Sequence, residues 1–378
     1  MKRLLYVFAV LMLLCVSAAL AEEAGEITGQ AVFSAKKPKL LLDGDLTTCW
    51  SGDVLEITLP EETKCHALYL NFFDTPPSLA VSVQGADGSW QLASSQPQPY
   101  YNACVRLTGT SKIRLENTRQ EPFQISEIHL FGEGELPGWV QQWKPFTGKA
   151  DLMVLAAHPD DELLFMGGTI PYYAGEMGKK VIVAYLTYPR QKERYNELLN
   201  GLWHCGVREY PHLSPLRDVV TRNPEDFVAS LGGEEIVMGY AVELLRKYQP
   251  DVVVTHDRHG EYGHGAHIVA SRLMREGVPL AANASYRPDK GQPWQVRKLY
   301  LHLYKENKVQ MDWKKPLAAF DGKNGLEVAT EAFRFHVSQV KSGTDMEDGL
   351  LYDNSRFGLW YSAVGEDVEK NDFFENID

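Results

Sequence analysis

Cysteine is scarce in this chain: five residues in 378, of which only Cys49, Cys65, Cys104 and Cys205 lie beyond the N-terminal apolar run. That excludes a disulfide scaffold, and no Cys-x-x-Cys pair is present to form a metal knuckle. One bridge among Cys49, Cys65 and Cys104 is the most an oxidising compartment would give. Cys205 sits in an apolar helical stretch and reads as a small core residue, not a nucleophile. Positive charge is short as well. Past Lys2 and Arg3 the chain carries 36 basic against 50 acidic residues, a net charge near −14. Such a chain repels phosphate backbones and anionic lipid, which argues against nucleic acid and membrane surfaces as partners. Long apolar runs are missing except one, Leu4 to Leu14, which follows Lys2-Arg3 and precedes Ala19-Leu20-Ala21. It is too short to cross a bilayer as a mature helix. Basic start, apolar stretch and small residues together read as a signal peptide over residues 1–21, so the mature chain is expected to begin near Glu22 and to be secreted or extracytoplasmic. Internal repeats and low-complexity tracts are absent too.

What is present is an ordinary globular composition, 44% hydrophobic and 23% charged, long enough for two domains. Residues 27–133 read as all-β. Short alternating segments recur (Leu55-Glu56-Ile57-Thr58-Leu59, Leu79-Ala80-Val81-Ser82-Val83, Ile125 to Leu130), separated by turn residues such as Thr75-Pro76-Pro77 and Ala86-Asp87-Gly88. The stretches LLDGDLTTCW (41 to 50) and FQISEIHLFGEG (123 to 134) resemble discoidin-like, galactose-binding-type β-sandwiches. That resemblance makes the segment a candidate carbohydrate-binding domain or a purely structural partner. Residues 134–148, with Trp139 and Trp143, form a short linker.

From residue 149 the pattern changes. Leu152 to Ala157, Val181 to Leu186 and Asp251 to Thr255 are continuous apolar runs of the length expected of buried parallel strands. Between the last two, Val237, Ala241, Leu244, Leu245 and Tyr248 share one helical face, and Pro250 stops the helix. Strand and helix in alternation predict a doubly wound, Rossmann-like α/β domain with a parallel sheet over residues 149–378, preceded by the β-sandwich. Sites in such sheets lie at the carboxyl ends of the strands.

Two loops at that edge carry the chemistry. The first strand runs into His158-Pro159-Asp160-Asp161-Glu162. The strand Asp251 to Thr255 runs into a segment from His256 to His267 that holds Glu261-Tyr262-Gly263-His264-Gly265-Ala266-His267. His158 with Asp161, and His264 with His267, are each three apart and would share a face if helical. Two imidazoles and one carboxylate suit zinc with an open position, and equally a facial triad for iron(II).

AHPDDE after a buried strand, followed about a hundred residues on by EYGHGAH, is similar to the PIG-L/LmbE family of zinc-dependent de-N-acetylases over most of residues 150–275. The resemblance implies that His158, Asp161 and His267 bind the metal and that Asp160 is the general base. It further implies that His264 is catalytic, that Tyr262 assists, and that Arg194, in an Arg-x-x-Glu pair with Glu197, faces the substrate. The implied activity is removal of N-acetyl groups from N-acetylglucosamine-type sugars or glycoconjugates, with Zn2+ or Fe2+ as cofactor. Two readings stand beside it: a glycan-binding protein without turnover, and a hydrolase of another small amide. The chain departs from the family in one place. Gly265-Ala266 stands where members commonly carry Pro-Asp, so the acid that orients the catalytic imidazole must come from elsewhere, with Asp257 or Glu261 as substitutes. His256 and His259 read as loop or supporting residues, and His66, His129, His204, His212, His302 and His336 as packing or surface residues. The aromatic tail (Phe357, Trp360, Tyr361, Phe373, Phe374) reads as core.

Overall fold

The computed structural model describes residues 22–119, 121–347 and 351–377. The expected signal peptide, residues 1–21, lies outside them.

The N-terminal part contains strands β1 (Val32–Phe33), β2 (Trp50–Gly52), β3 (Val54–Thr58), β4 (Cys65–Asp74), β5 (Ser78–Gln84), β6 (Trp90–Pro97), β7 (Asn102–Thr110), β8 (Lys112–Glu116) and β9 (Phe123–Phe131). They pair antiparallel into two sheets, ordered β1-β3-β8-β5-β6 and β2-β9-β4-β7. Alternation explains the arrangement. Leu55, Ile57, Leu79, Val81, Ile113 and Leu115 from the first sheet meet Leu68, Leu70, Phe72, Val105, Ile125 and Leu130 from the second in one apolar core.

The remainder builds a third sheet from β10 (Leu152–Ala156), β11 (Val181–Tyr185), β12 (Val252–Thr255), β13 (Lys298–His302), β14 (Lys308–Gln310) and β15 (Arg356–Ser362). Its order is β11-β10-β12-β13-β15-β14. The first four strands are parallel, and β15 and β14 add antiparallel edges. Its helices are α1 (Asp161–Leu164), α2 (Glu193–His204), α3 (Pro224–Ser230), α4 (Glu234–Tyr248), α5 (Gly265–Ala282), α6 (Gly325–Phe333) and α7 (Val337–Lys341). The period-two direction of β10 serves both faces. Leu152, Val154 and Ala156 pack with α2 and α6 residues such as Leu198 and Ala332, whereas Met153 and Leu155 pack with Val237, Leu245 and Leu273 of α4 and α5. The protein is therefore mixed α/β with several sheets. No described helix is long and apolar enough to cross a membrane.

The helix expected around Val237 to Tyr248 is α4. It ends where Gln249 adopts a left-handed φ of 48° before Pro250. Phe357 and Phe373 are fully buried core residues. Cys205 is buried as expected, but the bridge among the first three cysteines does not form: Cys49, Cys65 and Cys104 are free thiols. Cys65 and Cys104 lie on paired strands yet oppose Thr110 and Tyr69 respectively, out of register with one another. The two parts are joined across α2. Tyr101 stacks on Tyr195 at 4.3 Å, Tyr100 stacks on Tyr210 at 3.9 Å, and the Asn196 amide donates to the Phe72 carbonyl at 2.8 Å.

Candidate metal and catalytic site

Register places the two loops side by side. β10 and β12 pair in parallel with Leu155 opposite Thr255, so the segments beginning at Ala157 and His256 leave the sheet together. The first turns sharply. Asp160 adopts φ 117° and ψ −32°, a conformation that costs a non-glycine residue about 1–3 kcal/mol and is held by the Glu162 carboxylate, whose Oε2 accepts from the Asp160 N–H at 2.9 Å. Because α1 begins only at Asp161, His158 and Asp161 do not share a helical face as expected. The turn itself joins them: Asp161 Oδ2 accepts from the His158 N–H at 2.8 Å and lies 3.1 Å from Nδ1. His264 is likewise the cap of α5, with its Nδ1 accepting from the Ala266 N–H at 3.3 Å, and His267 sits inside the helix.

These residues converge. Asp161 Oδ2 lies 3.3 Å from His267 Nε2, a buried nitrogen with no hydrogen-bond partner. Ligand atoms of His158, His264 and His267 lie within 4.8 Å of one another, as do those of Asp161, His256 and His267. The expected set of His158, Asp161 and His267 takes members from both groups. His256 is not free to join it, since its Nε2 accepts from the Ala157 N–H at 2.9 Å and its Nδ1 meets Glu261 at 2.7 Å.

Electrostatics fit a cation. Burial alone would depress both imidazoles. Asp161 and Asp218 nonetheless raise His158 to about 9, and Asp161 and Glu261 raise His267 to about 10. Burial opposes ionisation of Asp161, but His267 and His158 hold it well below the carboxylate range. The field that favours protons on these rings favours a metal ion in their place, with loss of the protons. Asp160 is pushed the other way: burial raises it, while Arg194, whose Nη2 lies 3.1 Å from Oδ2, pulls it back. His264 is lowered to about 4 by burial and by its imidazole neighbours. It is thus neutral near pH 7, and with Nδ1 accepting it carries its proton on Nε2.

All of His158, Asp160, Asp161, Arg194, Tyr262 and His264 line one cavity of about 430 Å³. Tyr262, at a left-handed φ of 46°, is half exposed there, and its ring lies 5.6 Å from that of His264. His267 sits beneath the cavity, fully buried. Arg194 also donates to the Pro159 carbonyl. Its expected companion Glu197 is elsewhere. That carboxylate accepts from the Ser338 N–H at 2.7 Å and hydroxyl at 2.6 Å, and so holds α7 instead of facing the cavity.

Neither proposed substitute orients His264. Asp257 Oδ1 accepts from the His259 N–H at 2.6 Å. The Glu261 carboxylate is fully engaged: Oε2 meets His256 at 2.7 Å and His267 at 2.8 Å, and Oε1 meets His302 at 2.6 Å. The departure at Gly265 has a steric reason, since a Cβ there would lie 2.7 Å from the Thr221 carbonyl oxygen. His302 therefore belongs to the site's support, not to general packing. The sequence reading also lacked Asp218, whose Oδ1 lies 3.2 Å from His158 Nε2. Nothing local in the sequence marks that contact, which spans 60 residues.

Residues 153–278 match the family model described as PIG-L, GlcNAc-PI de-N-acetylase. The chain is 30% identical over 176 residues to a 1D-myo-inositol 2-acetamido-2-deoxy-alpha-D-glucopyranoside deacetylase of Streptomyces scabiei, covering 39% of this chain and 54% of that protein. It is 29% identical over 240 residues to one from Catenulispora acidiphila (56% and 74%) and 31% identical over 181 residues to one from Geodermatophilus obscurus (41% and 61%). The chain thus spans between about half and three quarters of these relatives.

Proposed function

We propose that this chain, of which residues 153–278 match the PIG-L family model, is a metal-dependent hydrolase that removes acetyl groups from N-acetylglucosamine-type sugars or glycoconjugates. The observation that carries the reading is the convergence of His158, Asp161 and His267 in a field that raises both imidazoles. We assign these three as the ligands of one divalent ion, zinc in the first instance and iron(II) in the second. The names of the relatives, deacetylases of a 2-acetamido sugar, support the substrate class.

When bound, the ion would polarise the amide carbonyl and make water a usable nucleophile near neutral pH. Asp160 takes the proton from the attacking water and returns it to the departing amine, so that the C–N bond breaks into acetate and a free amino sugar. Arg194 fixes the orientation of that carboxylate at 3.1 Å. The Nε2–H of neutral His264 donates to the carbonyl oxygen as charge develops, assisted by the Tyr262 hydroxyl, each donor worth roughly 3–4 kcal/mol in such roles. We read residues 149–378 as a Rossmann-like catalytic domain, residues 27–133 as a β-sandwich and residues 134–148 as their linker. The apolar leader over residues 1–21 supports an extracytoplasmic destination.

Acetate release from N-acetylglucosamine and its glycosides by the zinc-loaded protein and by Asp160→Asn tests the reading. The parent is expected to turn over, and the variant to lose about 10²–10⁴-fold in kcat while keeping its metal. A zinc-loaded parent that releases no acetate from any N-acetylated sugar overturns the substrate class. Full turnover in Asp160→Asn removes that residue from the base role.

A further inference from the structure

A second cavity, of about 620 Å³, opens where the outer face of the β9–β4 sheet meets the linker, the end of α2 and the turn before α6. It is larger than the catalytic cavity and shares no lining residue with it. Three features distinguish it from a simple gap between packed parts.

The first is aromatic surface that water still reaches. Trp139 on the linker is 46% exposed and Phe335, beyond α6, is 39% exposed, although both line a recess. Trp203 joins them from α2, its indole N–H donating to the Gly138 carbonyl at 2.8 Å. Trp139 and Phe335, held in place yet partly exposed, offer apolar ring surface to a ligand, whereas the face of Trp203 is covered by the Arg208 guanidinium at 4.1 Å.

The second is a polar group set in advance. Asn200 Oδ1 accepts from Gln141 Nε2 at 2.6 Å and from Asn102 Nδ2 at 3.3 Å. Gln141 is itself fixed, its Oε1 accepting from Asn102 at 2.6 Å and from the Trp143 indole at 2.7 Å. With its oxygen committed to this network, Asn200, which lines the cavity, has its Nδ2 donor left for a ligand. Asn71, 6% exposed, adds a second amide from β4.

The third is charge balance. The lining carries the acids Glu127, Asp321 and Glu331 and the bases Arg208 and Lys323. Glu331 is moreover paired with Lys323 at 2.7 Å and with His204 at 3.1 Å. Little net charge is left to select an ion, so the recess suits a neutral ligand with hydroxyl or amide groups along one edge and C–H surface on the other. A pyranose has that character.

We infer that this junction is a saccharide-binding site, separate from the catalytic cavity and built jointly by the two parts of the chain, neither of which completes it alone. The inference goes beyond the deacetylase reading and does not depend on it.

The test is a calorimetric titration of the full chain with the N-acetylglucosamine trimer, made in an Asp160→Asn background so that the probe is not consumed. The result expected is two equivalents of binding, one of which is lost or weakened at least tenfold in Trp139→Ala, from the sheet side, and in Asn200→Leu, from the α2 side. With Asp160 restored, both variants should release acetate from N-acetylglucosamine at the parental rate. Trp139 is 46% exposed but packs on Tyr69 and His129, so a thermal melt of each variant checks folding, and a failure of Asn200→Leu alone to fold would not remove the test. A titration unchanged in Trp139→Ala, whether it shows one equivalent or two, overturns the inference. Loss of the equivalent in Trp139→Ala beside a parent that releases no acetate leaves the junction site standing and removes the deacetylase reading instead.

Discussion

Glu261 grips His267 from behind: Oε2 lies 2.8 Å from Nδ1 of a ring whose Nε2 faces Asp161 at 3.3 Å. The same carboxylate meets His256 and His302, and all four side chains are fully buried. Burial opposes the charge on Glu261, but the imidazoles around it hold the group well below the carboxylate range. A ligand ring so anchored has its tautomer and its direction set by the carboxylate.

Glu261→Gln keeps the shape but replaces an acceptor of four contacts, three with imidazoles and one from the Asp257 N–H at 3.1 Å, by an amide whose nitrogen cannot accept. We expect metal affinity to fall by about 10–100-fold, measured by competition with a chelator. The acetate rate under saturating metal should recover most of its parental value. Unchanged affinity would mean that the contacts of His256 and His302 with the carboxylate serve packing alone.

Asp160 and Glu162 give a second prediction. The left-handed turn at Asp160 is secured by the 2.9 Å bond from its N–H to Glu162, and Glu162 is itself raised to about 8, first by burial and then by Asp160. In Glu162→Ala the turn loses that acceptor and the Asp160 carboxylate loses its direction. The expected outcome is a kcat at least about tenfold lower, equivalent to roughly 1.4 kcal/mol, with metal content unchanged. A variant with parental kcat would show that the turn holds without Glu162.

Stability should depend on pH through His212. Burial, reinforced by Lys247, lowers this imidazole from 6.5 to about 4, and it sits 2.8 Å from the Tyr248 hydroxyl. The folded-state value is depressed, so between these two values the unfolded chain binds the proton more readily. The contribution is present above pH 6.5 and is lost as pH falls toward 4. At about 1.4 kcal/mol per unit, the loss approaches roughly 3 kcal/mol. Thermal melts of the parent and His212→Gln across that window should converge toward the acid end. Parallel curves would assign the acid sensitivity elsewhere.

Much of the site was legible because strand register makes it so. His158, Asp161 and His267 follow apolar runs that become β10 and β12, and parallel pairing brings their ends together whatever the intervening chain does. What was not legible depended on distant folding. His302 reaches Glu261 across 41 residues and Asp218 reaches His158 across 60, and nothing local to either residue announces the contact. Glu197 misled for the converse reason. Spacing puts it near Arg194 on α2, but Ser338, 141 residues on, claims its carboxylate. The His158–Asp161 spacing suggested a helix, whereas the contact is made by a turn that only the unusual φ of Asp160 permits. In the N-terminal part, alternation forecast strands close to β3, β5 and β9, yet the pairing of Tyr101 with Tyr195 against α2 left no trace in any periodicity.

The central claim is that His158, Asp161 and His267 hold one metal ion, and elemental analysis of the purified chain beside its His267→Ala variant tests it most directly. The account predicts close to one equivalent of zinc or iron in the parent and almost none in the variant. A parent that cannot be loaded with either metal, or a variant that retains a full equivalent, would contradict it.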